Sequence, residues 1–220
     1  MLAALILVSA AERVDPPIVD FPYPLITEIL YNVPTRDGDA NADGERQVTG
    51  DEFVELVNPH DKPIALGGYT LRDRNAEDMG QMKFVFPEMT LEPGEVVVVF
   101  NGHDQKWRDP AGTSKEAPRG HHPQFDDAFV LTMETKSSRT ALANGGDYVL
   151  LSAPNGQRVH LVHWGEFDEE LPEVKVVEEV DDVRRGSAAR ADVSSPMTSH
   201  TSLLELSFSP GRFPHMAPSP

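Results

Sequence analysis

The chain contains no cysteine, which excludes disulfides, thiolate zinc sites and cysteine nucleophiles together. It also lacks any amphipathic stretch of helical period longer than two turns, so helix bundles and folds that alternate strands with crossover helices are excluded. Positive charge is scarce. Against 36 Asp and Glu stand 19 Lys and Arg, for a net charge of −17 and a pI near 4.7. Such a field repels nucleic acid and anionic membrane, and it suits cation binding or simple solubility. No Gly-x-Ser-x-Gly elbow, phosphate loop or His-Glu-x-x-His appears, so nothing marks the chain as an enzyme. The apolar run at the N-terminus, MLAALILVSAA (1–11), falls well short of the about 20 residues a membrane span requires. Its small residues Ser9, Ala10 and Ala11 suit a cleavage site, and it reads as the remnant of an export signal, although a positive n-region is missing.

What the chain does have is strand pattern. Asp51 to Pro59, DEFVELVNP, is a run of strand formers closed by Asn58-Pro59, because proline cannot donate to a ladder. Side chains alternate across a strand, so Phe53, Glu55 and Val57 share one face and Glu52, Val54 and Leu56 the other. Each face holds an acid beside apolar groups, which predicts an inner strand. Leu25 to Asn32, LITEILYN, is built the same way around Glu28, and the two are expected to pair in one sheet. Further strands are predicted around Tyr69 and Leu71, over Met82–Pro87 and Val96–Phe100, and at Phe129–Met133. Asp147–Trp164 reads as a hairpin about Asn155-Gly156, with Leu150 opposite Leu161 and Ser152 opposite Val159.

The expectation is therefore an all-β, antiparallel β-sandwich over residues 25–165. Residues 1–24 form an apolar and Pro-rich lead, and residues 102–127 a long polar insertion. Residues 166–220 are expected to be a poorly ordered tail, first acidic and then rich in Ser and Pro. Glu166 to Asp182 holds nine acids and one lysine, and such a block is usually solvated, with Val174, Val176 and Val177 able to add one edge strand.

Three constellations carry possible chemistry. Asp39-Ala-Asn41-Ala-Asp43-Gly44 matches the opening of a calcium loop, with oxygen ligands at the first, third and fifth positions and a glycine at the sixth. Gly50 occupies the position of the usual bidentate acid, and Asp51 follows one residue late. The expected ligand set is Asp39, Asn41, Asp43, the carbonyl of Glu45, and Asp51; the alternative is a solvated acidic hairpin loop. His121 and His122 with Asp126 and Asp127 suit zinc or iron by ligand type, but adjacent histidines in a strand point apart, which favours a polar loop. Glu28 and Glu55 would make a carboxylate pair if their strands are neighbours, although such glutamates usually lie on a wet face. His160 and His163 should point to opposite faces of the hairpin.

Taken in order, LITEILYN, DEFVELVNPHDKPIALGGYTLRD, and FP followed by TLEPGEVVVVFN resemble the lamin-tail domain as it occurs in exported bacterial proteins. GSAAR at 186–190 and SPGR at 209–212 look like the trailer such domains often carry. The resemblance implies an immunoglobulin-like sandwich acting outside the cytoplasm, at the cell surface or in the periplasm, as a non-catalytic binding or structural module. Its partner would be a protein or cell-surface ligand rather than nucleic acid, and no catalytic residues carry over. The alternative is a metal-dependent hydrolase or nuclease built on the His-rich insertion.

Overall fold

The computed structural model describes residues 17–74, 80–107, 111–167, 169–181 and 183–215. The apolar run 1–11 lies outside them. The strands are β1 Leu25–Asn32, β2 Phe53–Val57, β3 Ile64–Ala65, β4 Thr70–Arg72, β5 Lys83–Val85, β6 Thr90–Leu91 and β7 Val96–Phe100. They continue as β8 Phe129–Thr132, β9 Gly146–Ser152, β10 Arg158–Gly165, β11 Val176–Val180, β12 Gly186–Ala189 and β13 Thr198–Ser199, followed by one short helix, α1 Thr201–Leu204. Among the described residues no helix is long and apolar enough to cross a membrane.

Two sheets make the sandwich. One has the order β13-β12-β1-β2-β7-β8 and the other β11-β10-β9-β4-β5, with β3 and β6 forming a separate small ribbon. The all-β sandwich expected from the strand pattern is the architecture found. β1 and β2 pair antiparallel, with Glu28 opposite Glu55 and Ile29 opposite Val54. Most ladders are antiparallel, but β7–β8 and β10–β11 run parallel, because in each case a long connection returns the chain to a sheet edge. In the hairpin Leu150 faces Leu161 as expected. A register shift between Arg158 and His160 absorbs one residue, so Ser152 pairs with Arg158 and not with Val159.

The sheets bury one continuous core. Val54, Leu71, Met82, Leu142 and Val149 meet in its interior. At one end Tyr31 of β1 stacks on Trp164 of β10, ring centroids 4.1 Å apart. β2 and β7 are buried along their whole length, which tells that both faces of the first sheet are covered. On the outer face the described residues of the insertion, 102–107 and 111–127, cover one half: Trp107 and Phe125 pack edge-on or tilted against Phe100, itself beside Phe53.

The C-terminal chain covers the other half, and here the expectation of a poorly ordered tail is corrected. β11 supplies the edge strand that its valines suggested, and β12, buried at all four residues, adds to β1. Small residues make this docking possible. Gly186 (φ +89°) and Gly211 (φ +89°) both hold a backbone conformation that favours glycine, and a Cβ on either would lie 2.1 Å from a main-chain oxygen, of Ser207 and Phe125 respectively. A segment that buries itself through glycine, serine and alanine leaves no apolar period to read.

Candidate functional site

The acidic loop folds on itself through its own main chain. Asp39 accepts from the amides of Asp43 and Gly44, Asn41 from the amide of Asp43, and Asp43 from the amide of Glu45, all at 2.9–3.1 Å. Ala42 and Gly44 take positive φ, which wraps the chain around these oxygens. Asp51, buried, reaches back to the amides of Asn41 and Gln47, and burial pushes its carboxyl up to about 6. The insertion also reaches this loop: the Lys106 amide donates to Asp43, and its ammonium lies 3.5 Å from Glu45. The expected ligand residues are thus neighbours around one turn. Their carboxylates do not converge into a group of three within 4.8 Å, the separation at which such groups are found among the described residues.

The histidines of the insertion do not come together. His121 is half exposed and pairs with Glu95 at 2.9 Å, while His122 packs against Phe125 and Trp107 and accepts from the amide of Gln124. Burial holds His122 below its ordinary value. Asp126 and Asp127 line a shallow surface depression with Gly211 and Arg212. His160 and His163 do part, one into the core and one onto the ring of Phe167.

The carboxylate pair is where sequence reasoning failed. Glu28 and Glu55 are fully buried, not on a wet face, because the C-terminal chain lies over them. Glu55 accepts from the hydroxyl of Thr27 (2.6 Å) and the amide of Gly211 (2.7 Å), and burial followed by repulsion from Glu28 pushes it up to about 8. Glu28 accepts from the Ser187 hydroxyl and the Ser209 amide on Oε1, and faces His215 Nε2 at 3.0 Å on Oε2. His200 Nε2 lies 3.8 Å from Glu28 Oε1. Beside this centre Arg190 ties the two sheets: it donates to the Ile26 carbonyl of β1 and to Glu178 of β11, which also binds His160 at 2.7 Å. The signal that could have found the centre is an acid set within each of two apolar, strand-forming runs that were expected to pair.

The lamin tail domain family matches residues 23–166, about two thirds of the chain and the span of the sandwich core. The chain belongs to the lamin-tail-domain family. No curated protein matches it. Membership fits an immunoglobulin-like module, and the strands contributed by 176–199 extend this lamin-tail sandwich beyond the matched span.

Proposed function

We propose that this lamin-tail protein is a non-catalytic binding or structural module, exported from the cell and stabilised by calcium in the loop from Asp39 to Asp51. The observation that carries the calcium reading is the wrapping of the 39–45 turn around Asp39, Asn41 and Asp43 by main-chain amides, closed from below by Asp51. Such bonds fix carboxylate oxygens on one side of a turn and leave their remaining lone pairs for a hard cation. Asp39, Asn41, Asp43, the Glu45 carbonyl and Asp51 would supply all-oxygen ligands, the type calcium takes. A flexible loop tolerates calcium better than magnesium, which demands a tight octahedron. Export rests on the apolar run 1–11 with its small residues, and the partner is a protein or cell-surface ligand, since a net charge of −17 opposes nucleic acid.

Calorimetric titration of the whole protein tests the metal. One calcium ion should bind, and at 100 times Kd it should add roughly 2.7 kcal/mol of stability by mass action, seen as a rise in Tm. Asp43→Ala should remove most of that rise, and His122→Ala should keep it. No heat at millimolar calcium with an unchanged Tm would return the loop to a solvated acidic turn. N-terminal sequencing of secreted protein tests export, which a chain beginning at Met1 would refute.

A further inference from the structure

We infer that Glu28, His200 and His215 form a buried site for a divalent transition metal of the zinc type, which fastens the C-terminal segment to the outer face of the first sheet. Among the described residues this is the group whose His and carboxylate ligand atoms all lie within 4.8 Å of one another, and all three residues are buried. The inference does not rest on the calcium reading and uses none of its residues.

The orientation of each ligand is already set by its other atoms. His200 Nδ1 lies 3.0 Å from the Leu206 carbonyl and His215 Nδ1 lies 2.7 Å from the Arg190 carbonyl. A carbonyl can only accept, so in both rings Nδ1 carries the hydrogen, which leaves Nε2 to face Glu28 in His215 and the Ser209 hydroxyl beside Glu28 in His200. Histidine ligands are held in this way, one nitrogen donated to a main-chain oxygen and the other left for the ion. Glu28 is arranged likewise. Its Oε1 is occupied by the Ser187 hydroxyl and the Ser209 amide, while Oε2 faces His215 Nε2 at 3.0 Å.

Two lone-pair atoms at 3.0 Å need a positive centre between them, either a proton or a metal ion. Edges of a tetrahedral zinc site, with bonds of about 2.0–2.1 Å, are about 3.3 Å long, so the His215–Glu28 edge is near that length. His200 Nε2 lies 3.8 Å from the other oxygen of the same carboxylate, Oε1, and would join an ion held by Oε2 and His215 as the Ser209 hydroxyl, now 2.6 Å from its Nε2, turns aside. Two imidazoles and a carboxylate are a suitable set for zinc, and a dication offsets the charge of Glu28 beside Glu55. A proton shared between His215 and Glu28 would satisfy that pair alone, whereas a metal ion would also recruit His200, whose Nε2 now meets the Ser209 hydroxyl. Because the ligands are enclosed, the ion acts as a fastening and not as a catalyst. β1 supplies one ligand and the C-terminal segment two, so metal should enter as that segment docks.

The full-length, untagged protein purified without chelator should carry close to one equivalent of zinc by elemental analysis. After stripping, cobalt(II) should add with one-to-one stoichiometry and a visible absorption stronger than that of the aqueous ion, and millimolar calcium should not displace it. His200→Gln and His215→Gln should each lose the cobalt band, and His163→Gln should keep it. Stripping should also speed tryptic cleavage after Arg184, Arg185 or Arg212 several-fold, and zinc should restore protection. Absence of both zinc and the cobalt band, with trypsin resistance unchanged by chelator, overturns the site and leaves a proton-shared ion pair. If the histidine variants do not fold, the wild-type cobalt titration and the protease comparison decide the matter alone.

Discussion

Two regions of this molecule concentrate acid and satisfy it in opposite ways. In the 39–51 loop half of the carboxylate oxygens, both of Asp39 and one each of Asp43 and Asp51, are met by main-chain amides two to five residues away. Under the C-terminal segment, Glu28 and Glu55 are met, apart from the Thr27 hydroxyl on Glu55, by groups 156 to 187 residues away. Locally satisfied acid is a property of a turn and survives or fails with that turn. Acid satisfied across the whole chain exists only in the completed fold, and any loss of a partner leaves a buried polar group uncompensated.

The strongest way to break the comparison is to remove the distant partners together. A chain truncated after Glu166, keeping the family-matched span, loses β11 to β13, exposes the edge of β1 and leaves Glu28 and Glu55 without their covering groups. It should aggregate or unfold without cooperativity in urea, followed by tryptophan fluorescence. A truncated protein with the parent's cooperative transition would show that the tail is an accessory. Asp39→Ala, in the loop, should retain a single cooperative transition.

Next in size is Arg190→Met, which removes a buried guanidinium from Glu178 and from the Ile26 carbonyl. Breaking a buried pair from one side costs about 3–5 kcal/mol. Urea denaturation should show a loss of that order, against a change within about 0.5 kcal/mol for Glu45→Ala on the exposed loop without calcium. Equal effects would erase the distinction between the regions.

The pH dependence sharpens it further, because buried carboxyls here shift in both directions. Burial alone would raise Glu178, but the hydrogen bond from His160 and the charge of Arg190 override it and hold Glu178 at about 2. Its folded value lies below its ordinary 4.5, so its contribution is complete above about pH 4.5 and is lost as pH falls toward 2. Asp73 behaves oppositely: burial, opposed by the Met82 amide and assisted by Asp147, raises it from 3.8 to about 8. Its contribution is complete below about pH 3.8 and is lost as pH rises through about 8. Asp73→Asn keeps the acceptor for the Met82 amide and cannot ionise. Its stability relative to wild type should climb between those limits, to a gain of roughly 2 kcal/mol at pH 8 once relaxation around a buried charge is allowed for. A constant difference from pH 4 to 9 would contradict the assignment.

The strands were legible because their signals are local: alternation in LITEILYN and DEFVELVNP, Asn58-Pro59 as a stop, Asn155-Gly156 as a turn. The acidic loop was visible for the same reason, since its spacing of Asp39, Asn41, Asp43 and Gly44 falls within six residues. The buried centre was not. His215 is 187 residues from Glu28, and no periodicity connects them. The segment that covers Glu28 looked solvated because its fit depends on Gly186, Ser187 and Gly211, whose value is close approach and not apolarity. Glu28 and Glu55 did give a partial sign, each an acid set within an otherwise strand-forming run; the usual placement of glutamate on a wet face outweighed it.

The smallest expected effect bears most directly on the loop. Lys106 is the cation that contacts Glu45, and both side chains are more than half exposed, at 58% and 63%. An exposed pair of this kind contributes about 0.2–1 kcal/mol, less at high salt. Lys106→Ala should therefore lower calcium-free stability by under about 0.5 kcal/mol, the main-chain bond from residue 106 to Asp43 being kept. The same substitution removes a positive charge from the rim of the proposed calcium site. A unit charge acting on a dication about 8 Å away at an effective dielectric near 60 is worth roughly 1.4 kcal/mol before screening, so calcium affinity should rise by up to about tenfold at low ionic strength and by less in moderate salt. Calorimetry on wild type and Lys106→Ala in low and moderate salt would check both signs together. A variant that lost stability and bound calcium no tighter would mean that Lys106 only closes the turn, and that Asp39, Asn41 and Asp43 hold their places for the fold alone.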